Sequence, residues 1–467
     1  MKNTLLFTLG LFLFSSLTFA QETSIKDFDL QNYVAPEIKY KTLDFGSKLS
    51  MNGYNELEDD RRSSLNTNAN LQFYEYRNTK KVQSISSAYL DASYYGNWSK
   101  KDTVEKSRSN PSISLSYFRQ SRFYNQNKLF FGLHGWVKYH YSPSFREDIE
   151  TNFNSQHHEF SITPYISVGK GRIEPIESAR QAMDILISLQ KEDRLNKTPD
   201  DSIIDSLARV ANRIRYKRFF DSRYKRIYQL EELDEAMQNM DIIDQADMVY
   251  FANLNDIWNF SPRFSRGSGI RYEGGLIPLY SINYYKNNEA NLSELEKYNN
   301  TDYGIYGFFS FNRMKPKSYA WQSDILLDLT FGYSVSNVKW ENANENDTQK
   351  DDRLKGALNL GWQFGYYPNT RTYAGITPYA SISYDYDIEE KNKDVFGLNT
   401  GFRFNSYYYI SPRLRIELTA DIIYMDNWSS QIPSPFWNNG TNQGYSSLLD
   451  EKMISYSILF SFEYAIF

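Results

Sequence analysis

The sequence of 467 residues has no cysteine and only four histidines. The missing cysteine excludes disulfide scaffolds, thiolate metal sites, cysteine nucleophiles and a lipid-modified cysteine anchor. Lys plus Arg and Asp plus Glu nearly balance, 52 against 57, which excludes the basic excess of a dedicated nucleic-acid binder. Past the first twenty residues no run of about 18 apolar residues occurs, so helical membrane spans are excluded. HExxH, GxSxG and phosphate-loop motifs are absent. What the chain does have is aromatic residues: 39 Tyr, 31 Phe and 8 Trp, at a mean hydropathy of −0.62. The length by itself would suggest about three soluble domains. The aromatic content at low hydropathy suits many short strands better than Leu/Ala-rich cores.

The first twenty residues read as a secretory signal. Lys2 precedes the apolar run from Leu5 to Phe14, and small residues stand at Thr18 and Ala20. The run is too short to cross the ~30 Å hydrocarbon core. A mature chain would start near Gln21, and loss of Lys2 takes the net charge from −5 to −6. Insertion of such an exported chain into a membrane would use strands.

Alternation with period two fills most of the remainder. Near the C-terminus Ile454, Tyr456, Ile458, Phe460, Phe462, Tyr464 and Ile466 alternate with Ser455, Ser457, Ser461 and Glu463. Leu414 to Tyr424 repeats the pattern against Arg415, Glu417 and Asp421. Leu354 to Tyr366 does so against Arg353, Lys355, Asn359 and Gln363, and Ile325 to Tyr333 against Asp324 and Asp328. These runs exceed the usual 5–6 residues of soluble strands and match the ~9–11 residues of a tilted transmembrane strand. An apolar face with Tyr and Trp toward its ends, backed by a polar face, is the pattern of a lipid-embedded barrel.

Fourteen strands are expected, at 42–56, 64–77, 82–97, 110–124, 128–142, 158–170, 266–286, 301–314, 319–340, 353–367, 371–386, 395–410, 413–426 and 452–467. Tight turns at Asn78, Asn125, Lys315, Pro368 and Ser411 alternate with longer polar segments such as WSKKDTVEKSRSN and ENANENDTQKDD. Short turns on one side, longer loops on the other and an even strand count fit an outer-membrane barrel, with the tight turns periplasmic. The expected fold is an all-β transmembrane protein. It is a closed antiparallel β-barrel of about 14 strands with an α-helical insertion of about 80 residues between strands 6 and 7. The domain reading is 1–20 signal, 21–41 N-terminal periplasmic segment or plug, 42–170 strands 1–6, 171–257 helical insertion and 258–467 strands 7–14. Strand seven fits least well, because Ile277 and Leu279 are apolar on the face that should be polar. Pro164 and Pro378, in ITPYIS and ITPYAS, read as bulge positions.

In the insertion the period changes to 3.6. Ala179, Ala182, Met183, Leu186 and Leu189 share one face, and Ile203, Leu207, Val210, Ala211 and Ile214 form a second stripe. Thr198-Pro199-Asp200-Asp201 signals a helix start. Ile227, Leu230, Leu233 and Met237 form a third stripe. Between Arg213 and Arg226 seven of fourteen residues are basic: Arg213, Arg215, Lys217, Arg218, Arg223, Lys225 and Arg226, interleaved with Tyr216, Phe219, Phe220 and Tyr224. They are candidate periplasmic docking residues for an anionic partner. The structural alternative is a solvated helix face whose aromatics pack on neighbouring helices, balanced by the acids from Glu231.

Candidate lumen-lining residues are His134, Lys138, His140, Asp324, Asp328, Lys355, Arg403, Arg415, Glu417 and Asp421. They could make an acid/base site, but such residues more often form lumen ion pairs. His134 and His140 share a face of strand five about 20 Å apart, too far to share a metal. His157 and His158 point to opposite faces. Gly169-x-Gly171 leads from a strand toward a helix, but Glu174 stands where a dinucleotide motif needs glycine, so the pair reads as a turn out of the barrel.

The exported N-terminus, alternating strands, turn/loop asymmetry and terminal Phe467 resemble bacterial outer-membrane β-barrel proteins. The insert, with GKGRIEPIESARQA from Gly169 and RFFDSR from Arg218, resembles that of uncharacterised barrels from Bacteroidota, a likeness that implies no function. One departure is that Phe467 is out of phase with Tyr464 and Ile466. The expected function is a channel or transporter for small solutes in the outer membrane. An envelope structural or docking protein acting through the insert is the alternative, and an outer-membrane hydrolase comes third. No enzyme activity, catalytic residue, cofactor or metal is expected. The expected partners are outer-membrane lipid and, through the insert, cell-wall polymer or a periplasmic protein, with no nucleic acid.

Overall fold

The computed structural model describes residues 25–464 except 56–59, 102–103, 148–151, 218–221, 261–265, 290–294, 342–345, 389–393, 412–413 and 427–451. The signal segment and Phe467 lie outside the described residues, as does Arg218. Fourteen strands form one antiparallel sheet in which every strand pairs with its sequence neighbours, in the order β1 to β14. They are β1 Ile38–Asn55, β2 Asp60–Asn78, β3 Val82–Lys101, β4 Val104–Tyr124, β5 Leu129–Glu147, β6 Asn152–Pro175 and β7 Gly267–Glu289. The second half holds β8 Leu295–Pro316, β9 Trp321–Glu341, β10 Asn346–Tyr366, β11 Thr372–Asp387, β12 Val395–Ser411, β13 Leu414–Asp426 and β14 Met453–Tyr464.

The expected antiparallel sheet of fourteen strands is present, and its closure is not shown. Among the described residues no ladder joins β1 to β14, and the sheet is barrel-like with two free edges. The consequence is visible in burial. Leu43, Phe45 and Leu49 on β1 and Ile454, Tyr456 and Ile458 on β14 are far more exposed than their counterparts on inner strands.

One correction concerns the long polar segments. WSKKDTVEKSRSN is almost wholly ladder: β3 and β4 stay paired to Lys101↔Val104. Likewise β9 and β10 stay paired to Glu341↔Asn346. Ladder bonds need only backbone groups, so a segment polar on both faces can continue a strand without alternating. Most strands therefore reach 16–24 residues, for example 24 in β6.

Register sets the two faces. Phe309, Leu329, Leu358 and Ile382 stand opposite one another on β8–β11. They form a continuous apolar row on the outer face, Leu329 being 46% exposed. The adjacent row, Ser310, Asp328, Asn359 and Ser381, is polar and buried on the inner face, with Asp328 at 1%. The turns at 79–81, 125–128, 317–320 and 367–371 lie at one end, the turn end, where the chain also leaves and re-enters around the insertion.

β6 does not leave the sheet at Gly169 to Gly171, as the glycine pair suggested; it continues to Pro175. Gly171 (φ +99) and Gly269 (φ +134) take positive φ on the two facing strands, and the β6–β7 register runs on through them. A Cβ on either would sit 2.1 Å from a carbonyl oxygen of the facing strand, so only glycine fits both the backbone angle and the space.

Among its described residues the insertion holds four helices rather than three: α1 Glu177–Lys191, α2 Asp201–Arg215, α3 Ser222–Asn239 and α4 Met248–Phe260. Asp200 caps α2 by accepting from the Ile203 N–H at 3.0 Å, with Pro199 just before the cap. α1 is the central helix. Ala179, Ala182, Met183, Ile185, Leu186 and Leu189 are fully buried against α2 and α4, and Ile25, Leu30 and Tyr33 of the N-terminal segment join that core. Residues 25–35 thus pack on the helices and not inside the sheet. α4 gives only a weak amphipathic signal, because exposed Met248, Val249 and Phe251 offset the buried stripe Tyr250, Leu254 and Trp258.

Candidate functional site: the inner face and its helical cap

At the turn end the helices lie across the strand ends. Arg180 of α1 is buried. It donates to the Tyr319 carbonyl (2.5 Å) in the β8–β9 turn, to the Tyr367 carbonyl (3.1 Å) beside the β10–β11 turn, and to Asp184 (3.0 Å). Its guanidinium lies 3.6 Å over the Tyr319 ring, and the Tyr319 hydroxyl donates to Asp184 at 2.5 Å. Arg266, just before β7, donates to the carbonyls of Tyr319, Ser318 and Trp321. On α4, Asp256 receives both bonds of Arg371 at 2.8 Å and Phe260 meets Tyr409 at the end of β12. On α2, Asn212 donates to the Glu37 carbonyl, and Tyr216 following it packs edge-on against Tyr40 of β1. One helical unit is therefore fastened to strand ends from β1 round to β12.

The fastening has an electrostatic signature. Burial raises the carboxyl of Glu177, at the first turn of α1, to about 7 despite the neighbouring Arg215 and Arg266. Burial also lowers the Arg215 guanidinium below its usual value, and Arg215 donates to Gln181 within the bundle.

Deeper on the inner face the registers of β4 to β7 bring four polar groups together. Glu273 of β7 accepts from Arg122 of β4 (2.8 Å), His134 of β5 (2.9 Å) and Ser167 of β6 (2.7 Å), with Arg271 at 3.7 Å. Glu273 is 1% exposed. Next to it, away from the turn end, Tyr165, Ile277, Tyr306 and Phe308 form a buried apolar cluster with Leu279. The misfit of Ile277 and Leu279 is thereby explained: both point inward, where aromatic neighbours cover them. The inner face of β6 to β8 is packed with side chains here.

The Ser167, His134, Glu273 trio does not have the layout of a hydrolytic triad. Both Ser167 Oγ (3.1 Å) and Glu273 lie on His134 Nε2, while the buried Nδ1 takes no hydrogen bond. A triad needs the acid on the nitrogen opposite the nucleophile, so that the ring can pass a proton between them.

The remaining candidates from sequence lie on the inner face in neighbouring pairs. Lys138 pairs with Glu159 (2.8 Å), Arg403 with Asp421 (2.9 Å), and Arg415 with Glu417 (3.1 Å) and Glu463 (2.5 Å). Lys355 stands 3.9 Å from Asp385, whose other neighbour is Arg353. Gln322 donates to Asp324 at 2.7 Å, and Asp328 is buried opposite Ser310. His140 lies near the Ser114 hydroxyl at 2.7 Å, and its ring meets His157. These residues do not converge on one centre, and among the described residues no three His, Asp or Glu side chains are grouped to hold a metal ion. Glu273, Arg122 and Ser167 were missed from sequence, since their meeting depends on registers across four strands.

The basic segment of the insertion does not present one surface. Arg213 pairs with Glu232 at 2.9 Å, Arg215 is turned into the bundle, Lys217 lies over the Tyr228 ring, and Lys225 is exposed. Arg226 is partly buried, and the side chain of Arg223 falls outside the described residues.

No known family model matches the chain, and no curated protein matches it. Among solved structures, the ferric yersiniabactin uptake receptor FyuA from Yersinia pestis aligns over 85% of this chain and 62% of its own, at 6% identity and a TM-score of 0.31. The chain thus spans less than two-thirds of that receptor's length. A likeness of that degree fixes neither fold nor function.

Proposed function

We propose that the chain is an outer-membrane β-barrel, closed by β1 on β14, that conducts small solutes through a gated lumen. The observation that carries this reading is the two-sidedness of the sheet. An apolar outer row from Phe309 to Ile382 backs onto a buried polar inner row from Ser310 to Ser381. Free edges and an exposed apolar belt are both costly in water; lipid solvates the belt, and pairing of β1 with β14 satisfies the edges. Strands of about 20 residues are roughly 65 Å long, twice what the hydrocarbon needs, so the polar extensions would project beyond the membrane at the end away from the turns.

The helical cap and the packed inner face around Glu273 support a conduit that is shut at rest. The Ser167, His134, Glu273 geometry argues against that trio as a hydrolytic triad. Single-channel recording in planar bilayers tests the reading. The wild type should open rarely, and breaking the latch with Arg180→Ala should raise the open fraction. A barrel that stays electrically silent in both forms, although inserted, counts against conduction.

A docking role for the insert keeps one specific support, away from the basic segment. Met248 is 86% exposed, with Val249 and Phe251 also exposed beside it, at the start of α4. Asp244 and Asp247 flank them. Co-purification of periplasmic or cell-wall material, compared with a variant lacking the helices, tests this second reading. The kinship of the insert to barrels of Bacteroidota is likewise a proposal, resting on the sequence resemblance alone.

A further inference from the structure

We infer that the inner face carries a binding site for one divalent first-row transition-metal ion, held between His140 of β5 and His157 of β6. The register makes the two diagonal neighbours on adjacent strands: His140 stands opposite Glu159 and His157 opposite Ser142. Their rings meet with centroids 5.8 Å apart at 69°. A nitrogen-bound ion at about 2.0–2.1 Å lies roughly 3 Å from the ring centre, so two rings holding one ion stand roughly 4.5–6 Å apart. The observed spacing falls in that window without movement of either strand.

Each ring is also oriented as a ligand. Ser114 Oγ lies 2.7 Å from Nδ1 of His140, and Asn283 Oδ1 lies 2.9 Å from Nε2 of His157. An imidazole that donates its N–H to such an oxygen keeps the lone pair on its other nitrogen, which is the arrangement metal-binding histidines use. In the tautomers that donate to those oxygens, the free nitrogens are Nε2 of His140 and Nδ1 of His157.

Glu159 supplies a third ligand. It shares the inner face with both histidines, and its carboxylate now pairs with Lys138 at 2.8 Å in a half-exposed ion pair. Exchanging that pair for a metal bond costs little, since a solvated ion pair contributes ~0–1 kcal/mol. The three groups are not converged in the resting chain; the site is completed as the ion arrives, with water in the remaining positions. Two imidazoles and one carboxylate select Cu²⁺, Ni²⁺ and Zn²⁺ over Mg²⁺ and Ca²⁺. The other histidines stand apart: His134 pairs with Glu273, and His158 lies on the outer face between Tyr141 and Tyr284.

The test is titration calorimetry of the full folded chain, purified without a histidine tag, with CuCl₂, NiCl₂, ZnCl₂ and MgCl₂. One ion per chain is expected for the first three, Cu²⁺ tightest, and none for Mg²⁺. His140→Ala and His157→Gln should abolish binding, and His158→Ala should leave it unchanged. Ser114→Ala or Asn283→Ala should weaken it about 10–100-fold by freeing a ring. Each variant is first checked for the heat-modifiable electrophoretic mobility of the folded sheet. The inference is overturned if the wild type binds no transition ion, or if folded His140→Ala and His157→Gln bind as the wild type does.

Discussion

Arg180 on the first helix covers the ring of Tyr319 at 3.6 Å and donates to that residue's own carbonyl at 2.5 Å, while the Tyr319 hydroxyl answers Asp184 on the same helix. Ring, backbone and carboxylate of two segments, 139 positions apart in sequence, thus hold one guanidinium. The insertion is therefore a fitted part of the turn end, built on a β8–β9 turn that presents its carbonyls downward.

Arg180→Ala should release the cap. Removing one partner of a buried ion pair costs about 3–5 kcal/mol, because Asp184 is left buried without its cation. Limited proteolysis reads this directly. Cleavage within α1–α4 should accelerate by about a hundredfold or more, with the strands still resistant. Arg180→Lys should recover only part of the loss, since one ammonium cannot replace the guanidinium's reach to two carbonyls and a carboxylate. Unchanged cleavage in Arg180→Ala would mean that the bundle is held by its apolar core alone.

The two ends of the inner ion cluster should not respond equally. Glu273→Ala removes the carboxylate that Arg122 and Arg271 share on the inner face, and should cost about 3–5 kcal/mol. Arg122→Ala leaves Glu273 still bonded to His134 and Ser167, and should cost clearly less. Unfolding midpoints in urea decide the order; equal losses would contradict the shared-acceptor arrangement.

The cap should loosen as pH rises. Glu177 has a native value near 7, above the ordinary 4.5 that it would show in the unfolded chain. The native form then holds the proton more tightly, so the contribution of this group is full below about pH 4.5 and is lost as pH climbs through 7. Glu177→Gln should flatten that slope in proteolysis of the insertion between pH 5 and 8. A slope that persists in the glutamine variant assigns it to another group.

Much of the sheet was readable in advance because its signal is local. Leu414 to Tyr424 alternates within itself, and such a run declares both strand and lipid face. The extensions past Trp98 and Trp340 were unreadable because residues polar on both faces carry no period. β7 looked wrong because Ile277 and Leu279 face aromatics that only the register of β7 on β8 supplies. The same holds for Glu273, His140 and His157: each is ordinary in sequence, and its partners come from neighbouring ladders. The fourth helix was not legible because Met248, Val249 and Phe251 put apolar residues on its exposed side as well, which blurs the stripe of Tyr250, Leu254 and Trp258.

Leu358→Arg should destabilise the folded barrel in lipid by about 2–4 kcal/mol if that row lies near the bilayer midplane. Asn359→Ser, one residue on and facing inward, should cost much less. Folding titrations in phospholipid vesicles make the comparison. Indifference to arginine at Leu358 would remove the outer row from lipid.

The most direct measurement is an electron cryomicroscopy map of the full chain in phospholipid nanodiscs. The account predicts density for β1 hydrogen-bonded to β14, a lipid belt level with Phe309, Leu329, Leu358 and Ile382, and the four helices beneath the turns. A chain that refuses nanodiscs and stays monodisperse in detergent-free buffer, with β1 and β14 apart, would contradict it.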